Sequence, residues 1–254
     1  MTTGRPFRNG STPTVVLVHG AFTDASSWAG VIAELQAFGI PVTAVANPLR
    51  GSATDAAYLA GVVAAIDGPV LLVGHSYGGV VVTRAAAQLG NVVGLVYVAA
   101  FALEAGESVL DITGRFPDSL LGPALRPAVF RAGDGEEAVE LYIKDDRFPA
   151  VFAADLPKRL ISVAAAAQRP IAAVAFEESS PAASWKTLPS WYVVATADQA
   201  IHPAAQRFMA QRAGADTIEV DASHAIALSR PAAVAGHIRT AATATQAVKH
   251  THPV

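Results

Sequence analysis

Short apolar runs rich in β-branched residues alternate along this chain with stretches whose apolar residues recur at helical spacing, and Gly, Pro or Asp bounds each run. That alternation is the signature of βαβ units and predicts an α/β fold with a mainly parallel sheet covered by helices on both faces. Six strands are expected, over Thr14–His19, Pro41–Ala46, Val70–His75, Val92–Ala100, Trp191–Thr196 and Thr217–Val220. Helices are expected over Ser27–Phe38, Thr54–Ile66, Tyr77–Leu89, Ala204–Arg212 and Ala232–Ala242.

The alternation breaks between Ala102 and Trp185, where prolines and acidic residues interrupt the pattern and no strand stands out. A coil of this length is improbable in a compact domain, so the stretch reads as an inserted helical cap. Its best helices are Glu136–Ile143 and Pro157–Gln168. The division is then a core of residues 1–101 and 186–254 with a cap of residues 102–185, in one structural unit. The residues from about Gln246 to Val254 read as a frayed tail.

Composition supports a buried sheet. Hydrophobic residues make up 52% of the 254 and charged residues only 15%, which argues against disorder. A formal charge of −3 with no long run of one sign leaves no footprint for nucleic acid or an anionic membrane. There is no cysteine, which removes disulfides, thiolate metal sites and cysteine nucleophiles. Neither a signal-peptide stretch nor a run of spanning length is seen, so a cytoplasmic location is the default expectation.

The segment Gly74-His75-Ser76-Tyr77-Gly78-Gly79 carries the chemistry. It is a G-x-S-x-G pattern set between a strand and a helix, where the turn is sharp enough to strain the serine backbone and expose its Oγ at the C-terminal edge of the sheet. Gly74 and Gly78 remove side chains that would collide with the neighbouring strand and helix. The helix that follows presents its positive end, and the Tyr77 N–H points towards a developing oxyanion.

With these residues the chain resembles the α/β-hydrolase superfamily, and within it the compact members that include plant methyl esterases, hydroxynitrile lyases and bacterial carboxylesterases. The resemblance spans nearly the whole chain. It implies a second oxyanion donor in His19-Gly20-Ala21-Phe22, with the Ala21 N–H first and Phe22 as its neighbouring alternative. His19 itself then reads as a loop organiser. The resemblance also implies a general base that comes last in the chain, held by a carboxylate lying between serine and histidine.

His224 follows the last expected strand and fits the base; Asp198, after Trp191–Thr196, matches the family's acid loop. The order is Ser76, Asp198, His224. His202 is the rival base and Glu104 the alternative acid, while Asp221 lies too near His224 in the chain. His237 falls in a helical pattern, and His250 and His252 in the tail.

The resemblance implies a serine hydrolase that cleaves small to medium carboxylic esters through an acyl-enzyme, with no cofactor and no metal. Its expected partner is a small-molecule ester, not nucleic acid or a membrane. Phe22, Tyr77 and Phe101, with Phe148 and Phe152 from the cap, are candidates for an apolar pocket, and Arg169 for a substrate carboxylate if it faces inward. Trp185 and Trp191 read as packing. Hydroxynitrile lyase-like or perhydrolase activity, or a non-catalytic small-molecule receptor, are the alternatives. Against the lyase, Gly20 stands where the plant lyases carry threonine, and Ala225 where a lysine follows their catalytic histidine.

Overall fold

Thr-Val-Val-Leu-Val at Thr14–Val18 (β1) has no polar side chain after its first residue, and Val15 to Val18 are all buried. A strand of that kind belongs in the middle of a parallel sheet, covered on both faces. The computed structural model, which describes residues 12–133 and 135–247, shows this arrangement. Strands β2 (Val42–Val45), β3 (Val70–His75) and β4 (Val92–Val98) follow, with helices α1 (Ala29–Ala37), α2 (Ser52–Ala64) and α3 (Gly78–Ala86) between them. A 3-10 turn at Ala25–Trp28, capped by the Asp24 side chain, leads into α1.

After β4 the chain leaves the sheet. This excursion holds the short helices α4 (Val109–Thr113), α5 (Leu121–Ala124) and α6 (Phe148–Phe152), then α7 (Lys158–Ala166) and α8 (Val174–Glu177), together with strands β5 (Leu125–Arg131), β6 (Glu137–Ile143) and β7 (Ile171–Ala172). It returns through β8 (Ser190–Ala195), α9 (Pro203–Arg212), β9 (Asp216–Val220), α10 (Ile226–Ser229) and α11 (Pro231–Ala247). The central sheet runs β2-β1-β3-β4-β8-β9 with every pairing parallel.

Alternate residues along each strand face opposite sides, giving the sheet two apolar cores. Val15, Leu17, Leu71 and Val73 pack with Trp28, Leu35, Val234 and Ile238 under α1 and α11. Val16, Val18, Leu72 and Leu95 pack on the other face with α2, α3 and the excursion.

The excursion corrects one expectation. Glu136–Ile143 is not a helix: residues 137–143 are β6, paired antiparallel with β5 from Leu125↔Ile143 to Arg131↔Glu137. Val139, Tyr142 and Ile143 suit a pleated surface, and the 132–136 turn, with Gly135 at φ 87°, brings the strands together. β5 is an edge strand, where Pro127 does little harm. The excursion therefore mixes short helices with a three-stranded sheet rather than being purely helical.

The C-terminal expectation is corrected in part. Gln246 and Ala247 continue α11, and Gln246 Nε2 donates to Thr12 Oγ1 at 2.8 Å. The rest of the expected tail, including His250 and His252, lies outside the described residues. Among the described residues no helix is long and apolar enough to cross a membrane.

Candidate active site

Ser76 sits between β3 and α3 at φ 55°, in the left-handed region that non-glycine residues avoid at a cost of order 1–3 kcal/mol. Three backbone hydrogen bonds hold it there: its N–H donates to the Val98 carbonyl at 3.3 Å, and its carbonyl accepts from Gly79 and Phe101 at 3.0 and 3.1 Å. The close passage of α3 over β1 explains Gly78, since a Cβ there would lie 2.4 Å from the Val18 carbonyl oxygen.

His224 arrives from the loop after β9. Its Nε2 lies 2.9 Å from Ser76 Oγ, and its Nδ1 lies 2.6 Å from Asp198 Oδ2. Asp198 stands in the turn after β8, where its Oδ1 accepts the N–H groups of Ala200 and Ile201 at 2.7 and 3.0 Å. All three residues are buried. A carboxylate accepts only, so Nδ1 of His224 carries a proton and Nε2 is free to accept the Ser76 hydroxyl hydrogen. The arrangement can remove a proton from Oγ and hold the resulting imidazolium against Asp198.

The other candidate acids and bases stand elsewhere. His202 Nδ1 accepts the Ala204 N–H at the start of α9, Glu104 pairs with Lys186 at 2.7 Å, and Asp221 is exposed. His237 Nε2 donates to the Asp216 carbonyl.

The backbone donors divide as follows. Among the described residues, no hydrogen bond takes up the N–H of Ala21 or of Tyr77, and both residues are buried. The Phe22 N–H, the alternative donor, is already committed to the Arg169 carbonyl at 2.9 Å and so is not free for a substrate. His19, as expected, organises this loop. Its Nδ1 donates to the Gly20 carbonyl at 2.8 Å, and its Nε2 accepts the Asn47 N–H at 3.0 Å. Burial pushes its pKa down to about 4, so it remains neutral.

A cavity of about 430 Å3 opens over Ser76 and His224. Ala21, Phe22, Phe101 and Phe176 line its inner part, and Ala200, Ile201, His202 and Ala205 one wall. Residues of the 109–125 segment, among them Val109, Phe116, Leu121 and Leu125, close the rest. No sequence signal singled that segment out beyond its Gly and Pro content.

Three expected lining residues lie elsewhere. The Tyr77 ring turns into the core, where its hydroxyl donates to Asp55 Oδ2 at 2.8 Å. Burial and that carboxylate push its pKa above the ordinary tyrosine range, and burial likewise pushes Asp55 up. Phe148 and Phe152 stack on each other at 5.0 Å between centroids, and neither lines the cavity. Phe152 meets the His224 ring edge-on at 5.0 Å. Arg169 is not among the lining residues.

Two residues missed in the sequence complete the surroundings. His75 Nε2 donates to the His224 carbonyl at 2.9 Å, and burial pushes its pKa well below the ordinary value. Gln206 on α9 reaches Asp198 Oδ2 at 2.7 Å. Among the described residues no group of three or more His, Asp or Glu is placed to hold a metal ion.

This geometry has relatives. The profile of the alpha/beta hydrolase family matches residues 15–237. The chain belongs to that family. It is 27% identical to the alpha/beta hydrolase nvfD of Aspergillus novofumigatus, over 91% of this chain and 96% of that protein. Among solved structures, a pyrethroid hydrolase from Sphingobium faniae JZ-2 superposes with a TM-score of 0.74 at 21% identity, covering 92% of this chain and 98% of its own. Polyneuridine aldehyde esterase gives 0.76 at 17% identity, covering 91% and 99%. A methylesterase from Arabidopsis gives 0.75 at 19%, again covering 91% and 99%. At these identities the structural likeness speaks for the fold.

Proposed function

We propose that this alpha/beta hydrolase is a serine esterase that cleaves small to medium, uncharged carboxylic esters through an acyl-enzyme. The observation that carries the reading is the run of contacts from Ser76 Oγ through His224 to Asp198, at 2.9 and 2.6 Å, at the floor of an apolar cavity. Ser76 attacks the acyl carbon as His224 Nε2 takes its proton, and Asp198 holds the imidazolium. The N–H groups of Ala21 and Tyr77 receive the oxyanion, an interaction worth several kcal/mol in a dry site. His224 returns the proton to the leaving alkoxide, and a water activated by the same imidazole then releases the acid.

On this reading residues 102–185 act as a cap over the flanking core, and the cap sets which ester fits. The likeness to proteins named as a pyrethroid hydrolase, an esterase and a methylesterase supports ester cleavage over other hydrolytic chemistry. A hydroxynitrile lyase reading has little support: a Cβ on Gly20, where the plant lyases carry threonine, would lie 2.5 Å from Ser76 Cβ.

The test is hydrolysis of p-nitrophenyl acetate and butyrate by the wild type beside Ser76→Ala, with labelling by a fluorophosphonate. The reading expects turnover and a covalent serine adduct in the wild type alone. A folded wild type that turns over no faster than Ser76→Ala and takes no label overturns it.

A further inference from the structure

Asp198 is a buried carboxylate, and among the described residues none of the groups bonded to it belongs to a Lys or Arg. Its Oδ1 receives two backbone N–H groups, from Ala200 and Ile201. Its Oδ2 receives two side chains, His224 Nδ1 at 2.6 Å and Gln206 Nε2 at 2.7 Å.

Gln206 is itself fully buried, at 0% exposure, eight residues beyond the acid and on the helix that follows it. Its amide makes three hydrogen bonds. Oε1 accepts the Ala195 N–H at 3.0 Å at the end of β8, and Nε2 donates both to Asp198 Oδ2 and, at 2.9 Å, to the Ile201 carbonyl. Only one orientation of the amide fits these partners: a donor faces one end and two acceptors the other. The side chain therefore ties the strand end, the acid and the loop that carries the acid into one rigid unit.

We infer that Gln206 is a positioning residue of the site: it fixes which lone pair of Asp198 Oδ2 meets His224, and it stabilises the buried carboxylate with a neutral donor. The neutrality matters. A Lys or Arg in this place would compensate the charge on Asp198 before His224 was protonated, whereas an amide leaves the imidazolium as the one full positive charge bonded to it. The inference rests on the serine-esterase reading for its kinetic consequences and on geometry alone for its structural ones.

The test uses Gln206→Leu, which removes the amide at similar size, and Gln206→Glu, which keeps the shape. With a p-nitrophenyl ester, Gln206→Leu is expected to lower kcat by roughly tenfold to a hundredfold, the range spanned by loss of one hydrogen bond to a charged group, with KM within about threefold. The pH profile of kcat/KM is expected to differ from that of wild type, because a carboxylate relieved of one donor presents more of its charge to the imidazole. The other titratable groups near this pair, Tyr192 beside Asp198 and His75 beside His224, are unchanged in both variants. In Gln206→Glu a protonated carboxyl replaces the amide donor and an ionised one repels Asp198, so its activity relative to wild type declines as pH rises. A deshielded proton resonance is expected from the His224–Asp198 hydrogen bond in wild type, and it is expected to shift or disappear in Gln206→Leu.

A Gln206→Leu variant with wild-type kcat, pH profile and resonance overturns the inference while leaving the esterase reading intact. Should wild type show no Ser76-dependent turnover, the esterase reading falls, and the resonance in the same two proteins still decides the role of Gln206. Should Gln206→Leu fail to fold, the Glu variant decides it: a ratio to wild type that does not vary with pH overturns the inference.

Discussion

The Nδ1–H of His19 donates to the carbonyl of Gly20 at 2.8 Å. No peptide among the described residues is cis, so the N–H of Ala21, at the other end of the same peptide unit, points the opposite way, and Ala21 lines the cavity. One imidazole thus fixes the peptide that carries one of the two N–H groups proposed to receive the oxyanion. Replacement by a ring of similar size that cannot donate, His19→Phe, is expected to lower kcat about tenfold to a hundredfold with little change in KM, less than outright removal of an oxyanion donor. Steady-state kinetics on a p-nitrophenyl ester measure this, and a variant with unchanged kcat removes His19 from the orienting role.

The same burial makes the fold sensitive to acid. With its pKa held at about 4 against an ordinary 6.5, His19 is neutral in the folded chain where the unfolded chain has already taken up a proton. Its contribution is complete above about pH 6.5 and is lost as pH falls towards 4, a difference of roughly 3 kcal/mol. His75, held low by the same cause, acts in the same direction. Urea midpoints measured between pH 7.5 and 4 are expected to fall more steeply for wild type than for His19→Phe, and equal slopes would rule out the linkage.

Gly20 has no room for a side chain. A Cβ there meets Ser76 Cβ at 2.5 Å, the His75 carbonyl oxygen at 2.9 Å and Ser76 Oγ at 3.1 Å, and two of these three contacts involve Ser76, the proposed nucleophile. Gly20→Ala is expected to cost about 1–3 kcal/mol in stability, as overpacking does, and to lower kcat by at least about a hundredfold because the serine or the loop must shift. Thermal melting beside kinetics separates the two effects; a variant with near-normal kcat would mean the loop yields freely.

Much of this arrangement is legible in the amino-acid sequence. Val70–His75 declares itself because a strand buried on both faces needs only an apolar run and a following turn. Asp198 and His224 can be placed because each follows a strand, and parallel strands bring such loops to one edge. Glu137–Ile143 cannot be placed so easily. Its apolar residues fit a helical spacing as well as a strand, and the partner that decides the matter, Leu125–Arg131, contains Arg126, Pro127 and Arg131 and carries little strand signal. Gln206 is hidden for another reason: a glutamine within Pro203–Arg212 reads as a solvent-facing residue, and only the packing of α9 against the end of β8 and the 198–202 turn gives it three partners, Ala195, Asp198 and Ile201.

The cavity wall carries no lining cation. Its ionisable members are Asp118, His202 and His224, with no Lys or Arg among the lining residues. An ester with a carboxylate on its acyl chain meets no cation there and meets the Asp118 charge at the rim. Its kcat/KM is expected to fall well below that of the matching neutral methyl ester. Asp118→Lys is expected to raise kcat/KM for the anionic ester about fivefold at low salt, less at high salt, and to leave the neutral ester nearly unchanged. Equal gains on both esters would mean that the substitution reshapes the wall rather than its field.

Phe152 offers the clearest separation between holding the base and holding the substrate. Its ring lies edge-on to His224 at 5.0 Å and to His75 at 6.3 Å, and its carbonyl accepts the Ala225 N–H at 2.8 Å. The backbone contact survives truncation, but the ring contact does not. Phe152→Ala opens a void beside the imidazole and is expected to cost about 3–5 kcal/mol in stability. The cavity lining is untouched, so kcat falls while KM and the preference among acyl chains stay near wild type. Phe176 faces the cavity instead, and Phe176→Ala is expected to change KM and acyl preference more than kcat. A panel of p-nitrophenyl esters run on both variants decides the matter. If Phe152→Ala changes acyl preference as strongly as Phe176→Ala does, then Phe152 contacts substrate and its place beside the base is not its role.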